Sequence, residues 1–127
     1  MFTKLIQLAI VVADYDEAIN FYVKKMGFVL LEDTPLSDTK RWVRVAPKAD
    51  GGTGLLLAKA ASDEQKSRIG NQTGGRVFLF LQTDNFQADF QRLVENDVEI
   101  IRQPSVEEYG TVAVFADLYG NLWDLIG

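Results

Sequence analysis

The chain has 127 residues, of which 47% are hydrophobic and 24% are charged, a composition typical of one globular domain. Thirteen Lys and Arg residues against 18 Asp and Glu residues give a formal net charge of −5. This balance argues against a nucleic-acid partner, because phosphate binding needs a basic surface. Cysteine and histidine are both absent, which excludes disulfides, thiolate nucleophiles, zinc–sulfur sites and histidine bases.

Residues 5–13 form an apolar run near the N-terminus. The run is too short to cross a bilayer of ~30 Å as a helix. Neither a basic leader nor a small-residue cleavage site accompanies it. We therefore expect a cytoplasmic protein with no membrane partner.

The first half of the chain predicts one strand, one helix and three further strands. Residues 4–13 are rich in β-branched side chains and predict a buried strand. Asp14, with Glu17 three residues later, has the form of a helix cap, and Gly27 provides the stop. Between them an apolar stripe recurs at helical spacing, at Tyr15, Ala18, Ile19, Tyr22, Val23 and Met26. The later strands are predicted over residues 28–32, 41–46 and 53–58.

The second half repeats this pattern after a more polar stretch that includes a short predicted helix at residues 63–69. A strand is predicted over residues 76–82, and Asp84 with Gln87 repeats the capping signal. Asp97 takes the place that Gly27 has in the first half. The remaining strands are predicted over residues 98–102, 111–116 and 122–126.

The two halves are therefore repeated βαβββ modules. Aligning Asp14 with Asp84 gives an offset of 70 residues, whereas aligning Tyr15 with Phe86 gives 71. A slip of one residue inside the second helix would reconcile them. Because neither half can bury both its helix stripe and its sheet face, we predict a single α+β domain over residues 1–127. Its modules, 1–60 and 76–127, are joined by the connector 61–75 and form a curved mixed sheet around a groove.

Two stretches resemble a known superfamily. QLAIVVADYDEAINFYVKKMGF resembles the opening strand and helix of the vicinal oxygen chelate superfamily, which includes glyoxalases, bleomycin-resistance proteins and extradiol dioxygenases. YGTVAVFADLYGNLWDLIG resembles the C-terminal pattern of that superfamily, except that Leu118 stands where proline is usual. The resemblance covers nearly the whole chain and implies the paired βαβββ fold, but one fold hosts many functions.

The resemblance also implies where a divalent metal would bind in catalytic members. The four ligand positions fall on Gln7, Leu56, Phe78 (or Val77, with the shorter offset) and Asp124. Only Asp124 keeps a charged oxygen donor, whereas a metal site needs several converging donors. We therefore predict no metal site and no cofactor.

Gln7 and Asp124 each allow two interpretations. Gln7 lies inside an apolar strand, so its amide either forms a structural hydrogen bond, with Asp124 as one candidate partner, or lines the groove and orients a ligand. Asp124 points away from both its neighbours because side chains alternate along a strand. It either pairs within the sheet or, with a pKa raised by apolar walls, serves as a base or an anchor for a cationic ligand.

Trp42 and Arg44 alternate onto the same face of the third strand. Together they could stack on and pair with a planar anionic ligand. The same residues also fit an exposed face in which arginines extend toward solvent. Tyr109 either reaches the groove with its hydroxyl or has only a packing role.

The resemblance and the lost metal ligands favour a metal-independent protein that binds a small organic ligand, for resistance or sequestration. The predicted binding residues are Gln7, Trp42, Arg44, Leu56, Phe78, Tyr109, Trp123 and Asp124. One alternative is a lyase or isomerase that acts next to a carbonyl with Asp124 as the catalytic base. Others are a metal-dependent enzyme of the glyoxalase or dioxygenase type and a regulatory dimer with a filled groove. Because relatives usually complete the groove with a second subunit, we expect a homodimer.

Overall fold

The computed structural model describes all 127 residues and contains two compact units, Met1–Ile69 and Gly70–Gly127. Each unit is built on one four-stranded mixed sheet, which confirms the predicted α+β class and the repeated βαβββ order. The boundary between the units falls inside the predicted connector 61–75. None of the helices is both long enough and apolar enough to span a membrane.

The sheet of the first unit has the strand order β1-β4-β3-β2. Its strands are β1 (Gln7–Val12), β2 (Val29–Pro35), β3 (Arg41–Ala46) and β4 (Gly54–Lys59). β1 runs parallel to β4, and the other neighbours are antiparallel. The prediction for β3 is confirmed to the residue, whereas β1 begins three residues later than predicted.

The two faces of this sheet have different surroundings. One face forms the core of the unit, where Ile10, Val43, Val45 and Leu57 are completely buried. The register places Gln7, Ala9, Leu56 and Arg44 on the opposite face, where the side chains are only partly buried or exposed. This less buried face carries Gln7 and Arg44, two of the polar residues that are predicted to bind a ligand.

The first helix begins as predicted but changes its winding. The side chain of Asp14 accepts a hydrogen bond from the backbone N–H of Glu17 at 2.9 Å, capping α1 (Tyr15–Ile19). The helix then continues as a π-helix over Asn20–Lys25. There the backbone N–H of Met26 donates to the carbonyl of Phe21, five residues earlier, at 3.1 Å. A short helix, α2 (Asp63–Ser67), follows β4.

The second unit has the strand order β5-β8-β7-β6. Its elements are β5 (Val77–Gln82), α3 (Phe86–Glu95), β6 (Ile100–Glu107), β7 (Gly110–Ala116) and β8 (Leu122–Ile126). β8 agrees with its prediction to the residue. β6 is longer than predicted and forms an exposed edge.

The predicted cap of the second long helix is wrong by one residue. The side chain of Asn85, not of Asp84, accepts the backbone N–H of Ala88 at 3.1 Å. The caps Asp14 and Asn85 are therefore 71 residues apart, whereas the positive-φ residues Gly27 and Asp97 that follow the two helices are 70 apart. The first helix therefore contains one residue more than the second, and the π-helix accommodates this extra residue. The predicted slip inside the second helix is wrong.

Candidate functional site

A row of polar side chains crosses the less buried face of the first sheet. Arg44 on β3 donates from Nε to Oε1 of Gln7 on β1, at 2.8 Å. The other side of its guanidinium lies 3.7 Å from Oε1 of Glu32 on β2. Thr34 in turn donates its hydroxyl to Glu32 at 3.1 Å. The partner of Gln7 in this sheet is therefore Arg44, whose charged head is held between an amide and a carboxylate.

Trp42 and Leu56 lie beside this row. Leu56 is directly opposite Arg44 in the register of β3 with β4. Trp42 lies two residues from Arg44 along β3 and therefore projects from the same face. The structure thus brings together four of the predicted binding residues, Gln7, Trp42, Arg44 and Leu56, on one face of one unit.

A cleft opens next to Trp42, where β3 and β4 stop pairing. β3 pairs with β4 at two positions only, although it pairs with β2 at six. At this end the backbone N–H of Arg41 donates to the hydroxyl of Tyr15, at 3.2 Å. The cleft has a volume of about 560 Å³ and is walled by Tyr15, Trp42, Leu56, Leu57 and Ala58. Both its size and its mainly apolar walls are typical of small-molecule sites.

Arg41 anchors one side of this cleft. Its guanidinium binds Asp33 through two hydrogen bonds, of 3.0 and 2.6 Å, and binds Asp16 at 2.9 Å. It also lies over the ring of Tyr15, 5.2 Å from the centroid. These contacts hold the pKa of the Asp33 carboxyl below its usual value, mainly because Arg41 donates to it. The β2–β3 hairpin is thereby tied to α1 beside the cleft.

Sequence reasoning does not include Tyr15 or the cleft residues Lys40 and Lys59 in the site. Tyr15 belongs to the apolar stripe of the helix, and it is indeed buried. Lys40 immediately precedes β3 and Lys59 ends β4, and both line the cleft that opens where these strands part. The local sequence carries no signal for that separation of the strands.

Asp124 lies on the second sheet between two apolar side chains. In the register, Phe80 of β5 and Val114 of β7 are its direct neighbours, and Arg102 of β6 lies beyond Val114. Burial raises the pKa of the Asp124 carboxyl, and the charge of Arg102 opposes this in part. The carboxyl is therefore poised to take up a proton more readily than an exposed aspartate.

The other three predicted binding residues occupy different surroundings in the second unit. Phe78 is half-buried at an irregular position of β5, where the register with β8 shifts. Tyr109 lies in the turn between β6 and β7 and is 71% exposed. Trp123 is 3% exposed, on the face opposite Asp124, with its ring stacked on Phe115 at 5.9 Å. Trp123 is thus a core residue, because alternation along β8 turns it away from the face that carries Asp124.

The donors present do not fit a divalent metal. Of the four inherited positions, Leu56 and Phe78 have no donor atom, and the amide oxygen of Gln7 accepts from the cationic Arg44. Asp124 alone supplies a carboxylate, and no three His, Cys, Asp or Glu side chains gather where they could hold a metal.

Comparison with known proteins identifies the family. Residues 4–125 match the Glyoxalase/Bleomycin resistance protein/Dioxygenase superfamily. An uncharacterized protein of Shewanella frigidimarina is 54% identical over 96% of this chain and 91% of its own length. The crystal structure of UcmS2 has a TM-score of 0.85 at 28% identity, covering 99% of this chain and 98% of that one. TnmS3, an antibiotic binding protein from Streptomyces sp. CB03234, has a TM-score of 0.77 at 31% identity, covering 98% and 95%. This chain belongs to the Glyoxalase/Bleomycin resistance protein/Dioxygenase superfamily.

Proposed function

We propose that this protein binds a small organic molecule without a metal, and that it acts by sequestering or carrying that molecule. The observation that carries the proposal is the cleft of about 560 Å³ beside Trp42. A half-buried indole next to aliphatic walls offers an apolar surface for a flat ligand. Arg44, held by Gln7 and Glu32, lies outside the lining of the cleft, two residues along β3 from Trp42, and offers a fixed polar group to a ligand that extends beyond the indole.

The similarity to TnmS3 supports the same function. That protein is an antibiotic binding protein, and its 31% identity extends over nearly the whole of both chains. Binding needs a shaped surface and a few placed polar groups, and it does not need an acid, a base or a metal. The absence of histidine and cysteine is therefore compatible with this function.

The uncharged dye phenylnaphthylamine tests the proposal, because its fluorescence rises when it enters an apolar site. We expect saturable binding by the intact protein and a loss of about tenfold in affinity in Trp42→Ala, because a contacting aromatic side chain contributes about 1–2 kcal/mol. Phe80→Ala is the matched control, since it removes an exposed aromatic side chain from the other unit. Absent or unsaturable dye binding, or equal losses in the two variants, would refute the proposed site. Native mass spectrometry of gently purified protein would reveal a co-purified ligand.

A second candidate function is a lyase or isomerase that acts next to a carbonyl. The observation in its favour is the raised pKa of Asp124, because a base with a pKa closer to neutrality transfers protons more effectively. In this reaction the Asp124 carboxylate would accept the proton from the carbon and return it to a neighbouring atom. We would measure deuterium incorporation from D₂O into small hydroxyketones, which Asp124→Asn should abolish while dye binding persists. No incorporation by the parent protein would remove this candidate.

A further inference from the structure

We infer that the ligand of the cleft is an aromatic anion, whose ring lies against Trp42 and whose acidic group pairs with Lys40 and Lys59. This inference rests on the proposed function and names its class of ligand. It follows from the charges that line the cleft, from the packing of Arg41 and from the shape of the walls.

The charge lining the cleft is opposite in sign to that of the whole protein. The chain carries a net charge of −5, yet the charged side chains at the cleft are Lys40, Arg41 and Lys59, with no Asp or Glu among its lining residues. A cationic ligand would be repelled by the lysines there, whereas an anionic ligand would be attracted.

The two lysines differ from Arg41 in being available. Arg41 is committed to Asp33 and Asp16, so its charge is largely balanced within the protein. Lys40 and Lys59 are both exposed, and neither has a carboxylate within 4.0 Å. An ammonium group that is free of internal partners can turn toward a ligand anion at little cost.

The walls favour a flat ring over a flexible chain. Trp42 of β3 lines the cleft beside Leu56 and Ala58 of the neighbouring strand β4. Aromatic ligands gain from offset stacking on an indole as well as from the loss of exposed apolar area. A volume of about 560 Å³ accommodates a molecule with a few fused or linked rings.

Two dyes that differ by one charged group test this inference. Anilinonaphthalene sulfonate has the ring system of phenylnaphthylamine plus a sulfonate. We expect the intact protein to bind the sulfonate about tenfold more tightly than the neutral dye at low salt, and this advantage to shrink as salt is added. Lys40→Gln and Lys59→Gln should each weaken sulfonate binding about threefold, with about tenfold for the double variant, and leave the neutral dye unaffected. Lys24→Gln, an exposed lysine on the first helix, is the matched control.

The outcomes separate this inference from the function on which it rests. If the neutral dye binds at Trp42 but the sulfonate gains nothing, or if Lys24→Gln weakens the sulfonate as much as the cleft variants do, the class of ligand is wrong and the binding site stands. If neither dye binds, both fail. Thermal unfolding of each lysine variant, expected to be unchanged because these side chains are exposed, excludes dye binding to partly unfolded protein.

Discussion

Asp124 combines a carboxylate with neighbours that cannot solvate it. Phe80 and Val114 flank it in the sheet, and burial raises its pKa in the folded protein above the ordinary value of 3.8. A raised folded-state pKa means that the charged form is disfavoured by folding. Its contribution to stability is therefore most favourable below pH 3.8 and is lost as pH rises through the folded pKa.

We predict that Asp124→Asn makes the protein more stable at neutral pH, by up to about 1 kcal/mol, because it removes a poorly solvated charge. Urea unfolding at pH 7 and near pH 4 would measure the gain, which should shrink at the lower pH as the parent carboxyl takes up a proton. No gain at pH 7 would show that Asp124 is well solvated, and a loss of stability there would show that it is firmly paired with Arg102.

Gly70 is required by the close approach of another backbone segment. It has a φ of +72°, and a Cβ at this position would overlap the carbonyl oxygen of Tyr119. We predict that Gly70→Ala destabilises the protein by about 3 kcal/mol or more, since backbone must move to relieve the overlap. Gly74 provides the control, because its φ is +67° and a Cβ there would meet no atom within 4 Å.

For Gly74→Ala we expect a loss of only about 1 kcal/mol, the cost of placing an alanine in the left-handed region. Thermal unfolding of the two variants isolates the steric contribution, because the backbone conformation is nearly the same. Similar losses in both would mean that the contact with Tyr119 relaxes easily.

At the scale of elements, the structure and the sequence give different capping residues for α3: Asn85 in the structure and Asp84 in the sequence prediction. Asp84 and Asn85 are both good capping residues, but only the side chain of Asn85 accepts the N–H of Ala88. We predict that Asn85→Ala lowers the free energy of unfolding by about 1 kcal/mol, whereas Asp84→Ala changes it by no more than about 0.5 kcal/mol. Chemical denaturation can resolve this difference, and the reverse ranking would restore the sequence assignment.

Local patterns predict most elements but not their irregularities. The caps, the apolar stripes and the alternating strands are properties of adjacent residues, and β3 and β8 accordingly agree with their predictions to the residue. The π-helix at Asn20–Lys25 is not predicted, since a single extra residue leaves the apolar stripe nearly intact. In the sequence, the extra residue appears only as a difference between two offsets: the caps are 71 residues apart, and the residues that follow the helices are 70 apart.

The candidate site is predictable only in part, for the same reason. Alternation correctly places Trp42 and Arg44 on one face, because it depends on one strand alone. The cleft depends on where β3 parts from β4, which is a property of two distant segments. Trp123 is predicted as a binding residue because it is aromatic, but it is buried. Alternation along β8 already places it on the face opposite Asp124.

At the scale of the molecule, net charge is a poor guide to the ligand. An overall charge of −5 suits a cationic partner, but the cleft of the first unit is lined by cations. A ligand that enters the cleft meets the nearest charges at short range, whereas distant carboxylates are screened by salt within about 10 Å. The cleft residues, and not the composition, would therefore determine which ligand the proposed site attracts.

Homodimer formation is the prediction that concerns the whole molecule. Each sheet has two edge strands, and large apolar side chains are exposed at the N-terminus, including Phe2 at 103% and Leu5 at 64%. Open edges and exposed apolar groups are commonly covered by a symmetric partner. We expect light scattering after size exclusion to give twice the chain mass of 14.2 kDa, with dissociation only on strong dilution. A monomer mass at all concentrations would contradict the predicted homodimer. Any ligand bound at Trp42 would then be held by the residues of one chain alone.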